Sequence, residues 1–142
     1  MAQAPHPRPL RITLALWLVL TTTAWNVIRV WSSLTLRDVL ERYAPWPGPV
    51  YIGLTGAIWA AGGLLILGAL WRRASWSPAG LGVAAFVYAA WSWLDRLLLR
   101  PRIGTDWPFW LATTTVLLAF TTAVALDPGN GTYFGKEAHE RE

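Results

Sequence analysis

Residues 50–71 read VYIGLTGAIWAAGGLLILGALW and hold no charged side chain. At about 1.5 Å of rise per residue, a helix of this length covers the roughly 30 Å of hydrocarbon in a bilayer. A helix of a small soluble bundle needs a wet, charged face, and this stretch has none. It reads as a membrane span, and the rest of the chain follows from it.

Three more stretches have the same character, so spans are predicted over residues 10–31, 50–71, 78–99 and 107–126 of the 142-residue chain. The predicted fold is an all-α integral membrane protein, a four-transmembrane-helix bundle built as two hairpins in series. It forms a single transmembrane domain over 1–142, with polar tails at 1–9 and 127–142. Composition agrees: 54% of residues are hydrophobic and 14% charged, against a usual charged share of about 25%. A soluble domain this apolar would expose large sticky patches. Arg8 and Arg11 precede the first stretch as in a signal peptide, but the apolar run is longer than an h-region. No small-x-small cleavage site follows, so it is read as a retained span.

Between the first two spans the period changes. Leu36, Val39, Leu40 and Tyr43 fall on one helical face, and Arg37, Asp38, Glu41 and Arg42 on the other. Arg37–Glu41 and Asp38–Arg42 are i,i+4 pairs, Thr35 with Asp38 resembles a capping box, and Pro45 and Pro47 end the pattern. The expectation is a short amphipathic helix over 34–43 lying in the membrane interface. Its alternative is a plain continuation of the first span into water. Each predicted hairpin also carries polar residues late in its first helix and a Trp–Pro pair before its second (Trp46–Pro47, Trp107–Pro108). That echo fits a duplication or coincidence.

Lipid gives helices no hydrophobic reason to associate, so close backbone packing supplies much of the attraction. Gly53, Gly56, Ala60 and Gly63 form a small-residue stripe on the second span, widened by Ala57, Ala61 and Gly68. It is the predicted helix-packing surface, against another span of this chain or against another chain.

Several chemistries are set aside. The absence of cysteine excludes disulfides, thiolate catalysis and iron–sulfur ligation. The histidines, His6 and His139, lie in the tails, so no intramembrane pair exists for haem, and the spans hold almost no carboxylate for a metal. No metal site and no cofactor are expected. The formal charge of +4 comes mostly from arginines at span ends, which act as interfacial anchors rather than a nucleic-acid surface. No catalytic motif or nucleotide loop is found, so the chain is expected not to be an enzyme.

The polar residues inside the spans gather toward one membrane side. Thr22, Asn26, Arg29 and Ser33 share a face of the first span, and Tyr88, Ser92 and Asp95 a face of the third, with Arg96 alongside. Trp25, Trp31, Trp46, Trp91, Trp93, Trp107 and Trp110 fall toward the same side. An unpaired charge near hydrocarbon is costly, so Arg29 is expected to pair with Asp95, with Asn26 and Ser92 satisfying the remaining donors and acceptors. The candidate ligand site is Asn26, Arg29, Tyr88, Ser92, Asp95 and Arg96 below Trp25 and Trp91. The cluster is either an ion pair that locks two helices or a guanidinium that holds a lipid phosphate, a carboxylate or a quinone carbonyl.

The expected function is that of an accessory or structural subunit of a larger membrane complex. Its partners are the lipid bilayer and other membrane subunits or a second copy. The alternative is a binder or transporter of a small ligand, lipid or quinone at Arg29 and Asp95. Arginine outnumbers lysine and alanine and glycine are abundant, which fits a GC-rich bacterial genome and hence the plasma membrane. Basic residues are balanced across the two sides. The Arg8 and Arg11 flank favours cytoplasmic tails, while the balance also fits dual topology.

Overall fold

The computed structural model describes residues 9–43, 46–99, 106–127, 129 and 134. Most of the predicted tails, Pro45 and the charged residues Arg100 and Arg102 lie outside the described residues. Within them the chain is all helical, with α1 Leu10–Thr35, α2 Arg37–Tyr43, α3 Pro49–Trp71, α4 Ser77–Leu99 and α5 Trp107–Ala125. Three helices, α1, α3 and α5, are long and apolar enough to cross a membrane by length and composition, the mark of a membrane protein. α4 equals α3 in length but is less apolar, because Tyr88, Trp91, Ser92, Trp93, Asp95 and Arg96 crowd its second half.

Punctuation in the sequence sets most helix ends. Gly48, at φ 86°, turns the chain into α3, and Pro49 occupies the first helical turn, where its missing N–H leaves no bond unmade. Pro108 does the same for α5. α3 closes in a Schellman motif: Ala74 N–H donates to the Ala69 carbonyl at 3.0 Å and Arg73 N–H to that of Leu70 at 3.3 Å. Arg73 takes the left-handed position, φ 55°, that glycine usually fills.

α1 outruns its predicted end at 31 by four residues. The Ser33 hydroxyl donates to the Val30 carbonyl at 2.7 Å and that of Thr35 to Trp31 at 2.9 Å, so these side chains bond back into the helix instead of stopping it. The expected Thr35–Asp38 capping box is therefore corrected: the Thr35 hydroxyl is already committed backwards. Only Leu36 separates α1 from α2. Of the two expected ion pairs on α2, Arg37–Glu41 forms at 2.8 Å and Asp38–Arg42 does not. Leu36, Val39 and Tyr43 are exposed, Leu40 is half-buried and α2 buries no residue, so among the described residues most of its apolar face is left uncovered.

The long helices form an antiparallel ring. α3 lies on α1 with Gly53 against Ser33, Gly56 against Asn26 and Gly63 against Thr23. α4 follows α3 with Asp95 at Tyr51 and Tyr88 at Trp59. α5 follows α4 with Thr114 at Trp93 and Ala125 beside Gly82. Arg11 at the start of α1 closes the ring on Asp127, just past α5, at 2.7 Å. The start of α1, the end of α3, the start of α4 and the end of α5 therefore share one end, here the basal end. The apolar core sits toward it: Ile12, Ala15, Val19, Ile66, Leu70, Leu81, Val124 and Phe134. The opposite, apical end holds Arg29, Asp95, Arg96 and Asp106.

Candidate functional site

Ring order decides what the apical residues can touch. α1 and α4 stand diagonally, with α3 between them, and the face of α3 at this depth presents Tyr51 and Thr55. The Tyr51 hydroxyl donates to an Asp95 carboxylate oxygen at 2.6 Å. Arg29 Nη2 reaches the Thr55 hydroxyl oxygen at 3.4 Å, and that hydroxyl donates to the Tyr51 carbonyl at 2.8 Å. Trp91 stacks beside Tyr51 with ring centroids 6.4 Å apart. The expected Arg29–Asp95 ion pair is not formed, because two α3 side chains occupy the space between those groups.

The other predicted site residues scatter. Asn26 is fully buried and its Nδ2 donates to the Thr22 carbonyl at 2.8 Å, so it does not serve Arg29. Its Oδ1 is buried with no hydrogen-bond partner. Ser92 is half-buried and bonds to neither Arg29 nor Asp95. Arg96 turns toward α5, where Nη1 donates to Asp106 at 3.3 Å and the guanidinium lies 3.8 Å above the Trp110 ring. Trp110 Nε1 donates to the same carboxylate at 3.0 Å. The hydrogen bond from Arg96 holds the Asp106 carboxyl below the usual carboxylate range. Tyr88 sits deeper, edge-on to Trp59 with centroids 4.8 Å apart, and Trp25 is exposed.

Tyr51 and Thr55 escaped the sequence reading. A signal was present: in a helix otherwise built of aliphatic residues, glycine and tryptophan, they are the hydroxyl-bearing residues, spaced i,i+4 and therefore on one face. The glycine stripe packs within the chain. A Cβ at Gly53 would lie 2.5 Å from the Ser33 hydroxyl, one at Gly56 3.0 Å from the Asn26 carbonyl oxygen, and one at Gly63 would overlap the Thr23 hydroxyl. Ala60 is buried on the same face.

Below the apical cluster, all four long helices wall a cavity of about 100 Å³. Its threonine hydroxyls are spent on their own helices: Thr22 on Leu18, Thr23 on Val19 and Thr121 on Leu117, at 2.7–2.9 Å. The lining is accordingly almost wholly apolar.

The apical arrangement offers recognition of charge. Among the described residues Arg29 makes one long bond and has donors to spare, and Asp95 keeps an oxygen that Tyr51 does not use. Among the described residues no group of three His, Cys, Asp or Glu side chains could hold a metal ion. Compared with protein-family models, curated proteins and solved structures, the chain matches none.

Proposed function

We propose that this chain is a non-enzymatic four-span subunit of a larger membrane complex, with α4 as the fourth span. α4 has the length of α3 and is packed antiparallel between α3 and α5, so it supports a span despite its more polar second half. One observation carries the subunit reading. α5 buries only Thr121 and Val124, while Ala112, Thr115, Ala119, Thr122 and Ala123, all on one helical face, are exposed. Small residues in lipid let helix backbones approach closely, and α3 uses such a stripe against α1. The face of α5 repeats that chemistry, and among the described residues no helix lies upon it. Ala57, Ala61 and Gly68 on α3 are exposed too, and a Cβ at Gly68 would meet nothing within 4 Å. The Arg11 flank of the first span orients the basal end to the cytoplasm.

Native mass spectrometry of the protein, extracted from its own membrane in mild detergent, tests this reading. The expected result is stoichiometric co-purification of other polypeptides, weakened by Ala119→Leu on the α5 face. A lone chain, or copies of this chain only, overturns membership of a larger complex. A defined anionic lipid or quinone carried by that lone chain and lost with Arg29→Gln would favour the second reading, a ligand site at Arg29. Among the described residues Arg29 makes a single long bond, which supports that reading.

A further inference from the structure

We infer that the cavity between the four long helices binds an uncharged, membrane-soluble ring compound bearing a carbonyl acceptor. The cavity lies at the middle of the helices, with Thr22 on α1, Trp59 and Gly62 on α3, Tyr88 on α4 and Thr121 on α5. The wall holds no charged side chain, and its threonine hydroxyls already donate to their own carbonyls. An ion, phosphate or sugar entering would lose most of its hydration, and two donors in an otherwise apolar wall are too few to replace it. What fits is uncharged and largely apolar.

Two groups in the wall ask for more than an apolar filler. Among the described residues neither the Trp59 indole N–H nor the Tyr88 hydroxyl makes a hydrogen bond, though the two rings meet edge to face. Indole and phenol donors usually find a partner when they leave water, and here both belong to the wall of one cavity. A hydrocarbon chain would fill the space and leave both unpaired. A carbonyl oxygen supplies the acceptor that these donors lack.

Size fits one ring. An apolar cavity of about 150 Å³ holds benzene. The present one encloses about 100 Å³ and is open on one side, with the exposed Gly62 in its wall. The ring enters from the lipid-facing surface and its substituents remain at the mouth.

The inference is independent of the subunit reading, and its test uses the full chain alone in detergent micelles. The probes are 4-fluoroacetophenone and 1-ethyl-4-fluorobenzene, near-equal in shape, one with a carbonyl and one without. Fluorine NMR is recorded against protein-free micelles of the same detergent. The expected result is a saturable, protein-dependent shift for the ketone at about fivefold higher affinity than for the hydrocarbon, the worth of a hydrogen bond. Trp59→Phe combined with Tyr88→Phe should bring the two probes to parity. Ala85→Leu should abolish both shifts, because Ala85 is buried in the cavity wall and a larger side chain there takes up the space. Ala84→Leu fills the same space from α4 and serves if Ala85→Leu lacks native helicity by circular dichroism. Equal affinity for the two probes in the parent chain overturns the inference in favour of a slot for lipid chains. Shifts that survive both filling variants overturn it by placing the probe elsewhere.

Discussion

The seam between α1 and α3 and the seam between α4 and α5 solve one problem by opposite means. In the first, glycines bring backbone against backbone: Gly56 admits the Asn26 carbonyl and Gly63 the Thr23 side chain. Asn26 and Thr23 are buried there with their donors spent on α1 itself. In the second, long side chains reach across. Trp93 donates to Thr114 at 3.3 Å, and Arg96 lies between Asp106 and the Trp110 ring. The first seam runs through most of the helix length, whereas the second is fastened by side chains at its apical end and closes at its base with Ala125 beside Gly82. Close packing has no charge to titrate but tolerates no added atoms. The side-chain fastening tolerates substitution but depends on ionisation.

Substitutions in the glycine seam should have the largest effect. A side chain at Gly56 meets a backbone oxygen that cannot swing away, so Gly56→Val is expected to cost about 3 kcal/mol by overpacking. Gly68→Val, in open space, should stay within about 0.5 kcal/mol. Reversible unfolding titrations in mixed micelles measure both. Equal losses would show that helix propensity rather than contact governs the seam.

Next comes the Arg96 fastening. Arg96→Met keeps the apolar stem and removes the cation over Trp110, with an expected loss of about 1 kcal/mol. Faster amide exchange should be confined to the first turns of α5 and the last of α4. If α1 and α3 exchange faster as well, the two seams are one cooperative unit.

Acid should act on the two carboxylates that fasten α5, Asp106 to α4 and Asp127 to α1. The Asp127 carboxyl is held low by the Gly129 backbone N–H and by Arg11, and Asp106 by Arg96. A carboxyl depressed in the folded state contributes stability that is present above its unfolded pKa, near 3.8. That stability disappears as pH falls through the still lower folded value. Near-UV circular dichroism should therefore report loosening below about pH 4, and Asp106→Asn with Asp127→Asn should remove this pH dependence. The seam of α1 and α3 has no such pair, so resonances from Thr23, Asn26 and Gly56 should not move over the same range.

Much of this architecture was legible from residue order because the signals are local. Pro49, Pro108 and Gly48 mark helix starts whatever surrounds them, and the spacing of Gly53, Gly56, Ala60 and Gly63 fixes a shared face before any partner is known. The end of α1 was misplaced because Ser33 and Thr35, which often stop helices, here bond to their own carbonyls. The Arg29–Asp95 pair failed for a different reason. Periodicity tells which face of a helix is polar, but the neighbour of that face depends on the order of helices around the ring. With α3 between α1 and α4, Tyr51 takes the carboxylate and Thr55 meets the guanidinium. Arg96 was expected in the same cluster, but it belongs to the other seam, because Asp106 and Trp110 on the neighbouring helix outcompete Asp95 for it.

The ion pair between Arg11 and Asp127 has a topological consequence. It brings the first turn of the first helix beside the residue that follows the last, and the turn at 72–76 lies at the same end of the molecule. A peptide linker could join the start of α1 to the end of α5 while new ends are opened within that turn. Every helix would keep its direction and its neighbours, and no new polar terminus would have to pass through the apolar layer. The ring is thus a closed circuit whose point of opening is a matter of chain order rather than of packing.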